Sequence, residues 1–370
     1  MLDEFRIRRF RAFSEFSLSG LKRVNLFVGR NNAGKSSLLE ALYLYASRMD
    51  FDALQSLAAK RGEFAVDSMR RDPFGPDLSH FFHGHKIKNG RSFEIGTSKL
   101  MYEVKAELST EMIEQILLPS EHDDVDVSRR ALFSLKAIRR LGNGEKDDEI
   151  LQEASLSAVG TVLGYRRNSP FGIPRKSRNN FISPDSIDNR ALAAMWNDVL
   201  VSNSENAIVN ALRLLDDRVS SVAFLLSEQS TMRYPQRPSA GIVIGMDGAT
   251  VRLPLGSLGD GMKRLLSIAV ALSCSQGGAL FIDEIDAGFH YSVMRDLWRL
   301  IINTAIANKV QVFATTHSLD CIRGLSVIAE ETILKDSLSL YSINAQALQA
   351  THYRAEEVAK IIEHEIEVRQ

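Results

Sequence analysis

Eight consecutive residues, Gly29-Arg30-Asn31-Asn32-Ala33-Gly34-Lys35-Ser36, have the spacing of a phosphate cradle. Glycines at both ends let the backbone curl until successive N–H groups point inward at anionic oxygens. The Lys35 ammonium can then reach the outer phosphates of a nucleoside triphosphate, and the Ser36 hydroxyl can ligate Mg²⁺. Asn31, Asn32, Ala33 and the following Ser37 complete the expected binding set. Two further groups could act on such a ligand. Leu280-Phe281-Ile282-Asp283-Glu284 ends an apolar run with paired carboxylates. Asp283 suits Mg²⁺ and its water shell, and Glu284 can polarise an attacking water. Phe313-Ala314-Thr315-Thr316-His317 ends the next apolar run 34 residues after Asp283, and its histidine could hydrogen-bond a terminal phosphate.

These residues need elements that bring them to one place. Val24 to Val28 reads as a strand feeding the loop. Ser36 to Ala46, free of Gly and Pro, reads as the helix leaving it, with its positive end toward the phosphates. The acidic and histidine runs read as buried strands joined by a helix over 289–307, with Val293, Leu297, Leu300 and Ile301 inward. That βαβ unit predicts parallel strands whose C-terminal ends share one ligand-binding edge.

Elsewhere the periodicity changes. Residues 5–10 read as a strand. Phe93 to Leu108 reads as one half-buried antiparallel strand, with Leu100, Tyr102, Val104, Ala106 and Leu108 on one face and Glu103, Lys105 and Glu107 on the other. Residues 109–180 are polar and turn-rich, with an acidic stretch at 121–126 and five basic residues, Arg166, Arg167, Arg175, Lys176 and Arg178, that could meet DNA phosphates. Helical spacing returns at Leu192, Met195, Trp196 and Val199, then at Ile208, Leu212 and Leu215 behind a Ser204 cap. Residues 241–255 read as a strand pair turning at Asp247-Gly248, and the last sixteen or so as an amphipathic helix. His80, His83 and His85 are dense but fit no zinc template.

In this order the three motifs resemble an ABC-type ATPase head of the RecF, SMC and OLD branch. The N-terminal FRAF, GRNNAGKSSLLEAL and IDEIDAGFH carry the likeness, over roughly residues 1–50 and 250–325. The resemblance implies an α/β fold: a P-loop head with a mixed sheet, an antiparallel β subdomain and a mostly helical insertion. The expected parts are an N-terminal lobe over 1–108, an insertion over 109–240 and a C-terminal lobe over 241–370. ATP and Mg²⁺ are the implied ligands. Leu258, Gly259, Asp260 and Gly261 stand where the family has its signature loop, with Gly259 at the serine position. That loop implies head-to-tail pairing with a second copy, each loop meeting the nucleotide of the other. By the same analogy Arg11 or Phe13 would touch adenine, and Gln55 lies near the family's glutamine loop.

Two settings follow from the resemblance: an ATPase in an anti-phage defence complex that controls a separate effector such as a nuclease, or a RecF-like DNA repair ATPase; a third reading, of a different class, is a nucleotide-gated scaffold with negligible turnover. After His317, 53 residues follow, fewer than a Toprim nuclease domain needs, so DNA cleavage is not expected of the chain itself. A formal charge of −1 argues against a polybasic nucleic-acid coat and restricts any DNA contact to a local patch. Two cysteines cannot build a disulfide framework. No apolar run reaches the ~18–20 residues that span a bilayer, and no secretory signal opens the chain, so a cytoplasmic protein is expected.

Overall fold

The computed structural model describes residues 1–66, 74–108, 133–142, 148–157, 160–167, 178–226, 240–329, 331, 337–344 and 348–363. In the first part of the chain the elements are β1 (Glu4–Phe10), β2 (Phe13–Ser19), β3 (Val24–Val28), α1 (Lys35–Ala46), α2 (Phe51–Lys60), β4 (Phe64–Val66), β5 (Phe74–Pro76), β6 (Ser92–Gly96) and β7 (Leu100–Leu108). Next come β8 (Phe133–Leu141), β9 (Glu149–Leu156), β10 (Val162–Arg167), β11 (Asn180–Ile182), α3 (Asn189–Val201), α4 (Glu205–Leu212), β12 (Val219–Leu226), β13 (Ala240–Met246) and β14 (Leu253–Pro254). The last are α5 (Asp260–Cys274), β15 (Ala279–Ile282), α6 (Met294–Ala307), β16 (Gln311–Thr316), α7 (Leu319–Ala329), β17 (Leu338–Asn344), β18 (Gln349–Arg354) and α8 (Ala355–Glu363).

The sheet that carries the chemistry runs β11-β15-β16-β3-β17-β18. Its first five strands are mutually parallel and β18 returns antiparallel, so the sheet is mixed. Side chains on these strands alternate between two apolar cores. Leu26, Leu280, Val312 and Leu340 face a core shared with α5 and α6. Phe27, Phe281, Phe313 and Tyr341 face the other core, shared with α1 and α2. Both faces are covered, which is why these strands read as unbroken apolar runs. Phe281 stacks on Phe313 at 5.3 Å and Phe313 on Phe27 at 6.4 Å, an aromatic row across three strands.

The second sheet is antiparallel, in the order β10-β9-β8-β7-β6-β1-β2. It closes the far side of α1, whose Leu38, Leu39, Ala41, Leu42 and Leu44 are all buried. Phe93 to Leu108 is therefore not one strand but the hairpin β6–β7. Thr97 makes the bend: its N–H bonds to Leu100 O at 2.8 Å, and its Oγ1 accepts from Leu100 N at 3.0 Å. Glu103, expected to face solvent, is buried and held 2.7 Å from Arg140. Among the described residues of 109–240 the helices are α3 and α4, while β8, β9 and β10 extend the antiparallel sheet. Leu192, Trp196, Val199, Ile208 and Leu212 are buried as expected. Ser204 stands at the α4 N-cap position without a side-chain capping bond. The α6 helix starts at Met294, later than expected, after a short 3₁₀ turn over Tyr291–Val293. The acidic stretch at 121–126, Arg175, Lys176 and the last residues of the expected C-terminal helix, 364–369, lie outside the described residues. No helix among the described residues is long and apolar enough to cross a membrane.

A helix buried between two sheets leaves a charged residue no route to water, and Glu40 lies on that helix. Arg11, at the β1–β2 turn, answers it: Nε lies 2.7 Å from Glu40 Oε2, an ion contact rather than a linear hydrogen bond. Arg11 also grips Glu63 with both terminal nitrogens, at 2.6 and 3.0 Å, and its guanidinium lies 4.3 Å from the Phe81 ring centre. Arg61 Nε meets the second Glu40 oxygen at 2.5 Å. Burial pushes the Glu40 pKa up, and the two arginines pull it back.

Removing one partner of a buried ion pair strands the other charge. Arg11→Met should therefore lower stability by about 3–5 kcal/mol in denaturant unfolding. Arg8→Met, which breaks only exposed pairs, should stay within about 0.5 kcal/mol of wild type. Without Arg11 the folded-state pKa of Glu40 moves further above its unfolded value, so the Arg11→Met deficit should grow as pH rises above the ordinary carboxylate range and shrink toward acid. A deficit independent of pH would mean that Glu40 is not the charge being answered.

Candidate functional site

The phosphate loop joins β3 to α1. Gly34 is the residue before α1, with φ 84°, and no side chain caps that helix end. The first N–H groups of α1 are thus open to an anion. A Cβ on Gly34 would lie 2.8 Å from Phe13 Cζ, so both the backbone conformation and the space require glycine. Asn31 and Asn32 are exposed, Asn32 with φ 63°, and Ala33 and Ser37 are buried. Lys35 is 9% exposed and donates to Gly29 O and Arg30 O, each at 2.8 Å. Burial pushes its pKa down, and Asp283, Glu284 and Asp286 pull it back up. The lysine is thus a buried cation solvated by its own loop.

Asp283 and Glu284 follow β15, next to β16 and one strand from β3. Asp283 Oδ1 accepts from Ser36 Oγ at 3.1 Å and from Thr315 Oγ1 at 2.5 Å. Thr315 Oγ1 in turn accepts the Glu284 N–H at 2.9 Å. Glu284 has φ 48°, a left-handed conformation that is strained for a side chain of this kind. His317 is exposed, its Nδ1 3.8 Å from Glu284 Oε1, a charge-range contact too long for a hydrogen bond. Thr316 Oγ1 donates to Asp286 at 2.5 Å. Phosphate loop, acidic pair and histidine therefore meet at one sheet edge. An uncapped helix end, a buried ammonium and a hydroxyl–carboxylate oxygen pair form a donor set that fits a triphosphate with Mg²⁺, a cation that prefers hard oxygen ligands.

The Leu258–Gly261 loop opens α5. Leu258 is half-buried, and Gly259 and Asp260 are exposed. Gly259 has φ 86° and ψ 166°, a region essentially closed to any other residue. A Cβ on Gly261 would lie 2.7 Å from Gly288 O, so the loop packs against the turn that follows Glu284.

Other expected residues do not join the site. Arg11 is taken up by Glu40 and Glu63, and Phe13 lies buried against Gly34, so neither is open to an adenine ring as the family analogy implied. Gln55 is a half-buried residue within α2. Arg167 pairs with Asp50 and Asp52, Arg166 with Glu153, and Arg178 donates to Gln276 O. His83 Nδ1 meets Arg11 O, and His80 and His85 face each other at 3.3 Å. Among the described residues no three such side chains form a metal site. Two residues escaped the sequence reading. Thr315 had a signal in its polar position at the end of an apolar strand, one before Thr316 and two before His317. Arg264, 1% exposed and bonded to the carbonyls of Asp283 and Glu284, had only its place behind Lys263.

A family model described as "AAA domain, putative AbiEii toxin, Type IV TA system" matches residues 24–320. The chain is 25% identical over 367 residues to an ATP/GTP phosphatase of Helicobacter pylori, covering 93% of this chain and 92% of that protein. Among solved structures it is similar to an Smc head bound to the C-winged helix domain of ScpA, with TM-score 0.47, 12% identity and coverage of 97% of this chain and 99% of that one. A second is an Smc head with an extended coiled coil bound to the C-terminal domain of ScpA derived from Pyrococcus furiosus, with TM-score 0.46, 12% identity and 99% of each chain covered.

Thr315 offers a direct check on the geometry. Thr315→Val keeps the shape but leaves the Glu284 N–H unpaired and removes a donor from Asp283. It should lose about 1–3 kcal/mol in denaturant unfolding. Thr315→Ser, which keeps the hydroxyl, should retain most of that stability. A larger loss for Thr315→Ser than for Thr315→Val would show that the methyl group, not the hydroxyl, matters.

Proposed function

The chain belongs to the AAA-domain family whose model spans residues 24–320 and is an ATPase, and on that premise we propose that hydrolysis takes place between two paired copies of it. The observation that carries this reading is the convergence of Ser36, Asp283, Glu284 and His317 at one sheet edge beside the buried Lys35. Loop N–H groups from Gly29 to Ser37 cradle the phosphates, and Lys35 leaves its own carbonyls to take β- and γ-oxygens. Ser36 and Asp283 are the residues that would hold Mg²⁺. When bound, the ion neutralises charge on the phosphate oxygens. Glu284 accepts a hydrogen bond from the attacking water and orients it. His317, exposed beside Glu284, donates to the γ-phosphate and registers its presence. Such catalysis is mostly positioning and charge stabilisation.

The Leu258–Gly261 loop meets the nucleotide held by the second copy, through the uncapped N-terminus of α5. The setting we favour is a defence complex in which the paired state controls a separate effector such as a nuclease. The family description, which names a putative toxin of a toxin–antitoxin system, supports that setting. The ion pairs of Arg166 and Arg167 weigh against a DNA clamp built on the basic loop.

Steady-state turnover and light scattering with ATP test the reading. Glu284→Gln should bind ATP and pair as wild type does, with turnover lowered about 10²–10⁴-fold. Lys35→Ala should lose both nucleotide binding and pairing. Wild type and Glu284→Gln binding ATP with equally negligible turnover would leave a nucleotide-gated scaffold. A wild-type rate strictly linear in protein concentration, with no ATP-induced pair, would sink the shared site.

A further inference from the structure

The α5 helix starts at the loop that would meet a second copy, and one turn into it stands Arg264. This guanidinium is buried, and among the described residues no carboxylate forms an ion pair with it. Nη2 donates to Asp283 O at 2.5 Å and to Glu284 O at 3.0 Å. Nη1 donates to Ser183 O and, at 3.4 Å, to Pro184 O. Its Nε has no hydrogen-bond partner. A fully charged side chain spent on backbone carbonyls is an expensive way to fill space. Burial lowers its pKa to about 10, with Asp283, Asp286, Glu284 and Asp185 pulling it back, so it stays charged near neutral pH.

Two of the carbonyls it takes, those of Asp283 and Glu284, belong to the strained turn. Glu284 sits at φ 48° and needs its surroundings to keep it there. Thr315 Oγ1 holds its N–H, and Arg264 and the Ala287 N–H hold its carbonyl. Thr315 belongs to the sheet, which is fixed. Arg264 belongs to α5, whose first turn packs on the segment after Glu284 through Gly261 and Gly288. A shift of the α5 N-terminus is thus passed to the Glu284 backbone through one rigid planar group.

We propose that Arg264 is a positioning residue that transmits docking of a second copy at the Leu258–Gly261 loop to the Glu284 carboxylate of its own chain. The inference rests on the paired-ATPase reading above. Its consequence is that the two sites of a pair do not act separately. Engagement of the partner's nucleotide on one face sets the water-orienting carboxylate on the other, so an unpaired copy holds ATP with Glu284 poorly placed.

The test uses Arg264→Met and Arg264→Lys in the full chain. Methionine keeps bulk without donors. Lysine keeps the charge but cannot bridge the same carbonyls in one plane, and it serves if Arg264→Met does not fold. Nucleotide affinity, pairing and turnover are measured for each. ATP should bind with Kd within about twofold of wild type and pairs should form, while kcat falls about 10- to 100-fold with KM little changed. Turnover per site should rise with protein concentration in wild type, as pairs form, and stay flat in the variants although they pair. In a Glu284→Gln background the Arg264 substitution should change the residual rate by less than about twofold, because neighbours acting through one group are not additive.

Three outcomes would overturn the proposal: wild-type kcat in both variants, the same loss of rate with and without Glu284, or equal loss in paired and unpaired enzyme. Wild-type protein that binds ATP but never turns it over would instead overturn the ATPase reading itself. The two failures are therefore distinguishable.

Discussion

One carboxylate oxygen ties the site together. Asp283 Oδ1 accepts from Ser36 on the helix after β3 and from Thr315 on β16, while Asp283 itself directly follows β15. These three strands are neighbours in the sheet, so the bond is available only because all three run the same way and end at the same level. A slip of one residue in β16 would turn Thr315 to the opposite face and leave a buried carboxylate short of donors. Hydrogen bonds to charged groups contribute about 1.5–3 kcal/mol each. The parallel register and the chemistry are thus one constraint, since strand order decides which polar ends can meet.

That constraint explains the layering around it. Parallel strands buried on both faces need a core on each side, and alternation along β3, β15, β16 and β17 supplies two. The phosphate-loop helix is pressed between two sheets, which fixes its N-terminus against the acidic pair. Burial on that scale leaves Glu40 inside, and the Arg11, Arg61 and Glu63 network follows from it. Arg11 is therefore part of what clamps the loop helix to the β1–β2 turn. It acts on the site through position, not through contact with a ligand.

The phosphate loop, the two strand ends and the parallel βαβ unit were legible in the sequence because each is a local pattern with a local cause. A glycine-rich turn between strand and helix needs only a dozen residues to declare itself. Arg11 shows the limit. Its partners, Glu40 and Glu63, lie 29 and 52 residues away, and nothing in one sequence says which charge a folded arginine will meet. The single strand expected over Phe93–Leu108 failed for a related reason. Period two runs through both arms of a hairpin and masks the bend between them, which the Thr97 hydroxyl forms beside Gly96, where a Cβ would collide with Leu100 O. Thr315 and Arg264 were hidden because their work is hydrogen bonding to backbone that only the fold brings near.

Gly259 gives the departure from the family pattern a physical reading. Space does not exclude a serine there, since nothing lies within 4 Å of a Cβ at that position. Backbone conformation does, because φ 86° with ψ 166° is glycine territory. A hydroxyl has been exchanged for a turn that leaves the start of α5 without a side-chain cap. Gly34 leaves α1 in the same condition. Each chain thus presents two helix N-termini, both introduced by a positive-φ glycine and both with backbone donors unspent. One stands at the chain's own phosphate loop and the other beside Gly288, on the segment that follows Glu284. Head-to-tail pairing would set one of each kind about every nucleotide. The contact across the pair would then be made by backbone N–H groups, whose aim depends on the orientation of α5. A helix whose orientation matters in this way is also the helix that carries Arg264 to the Glu284 turn.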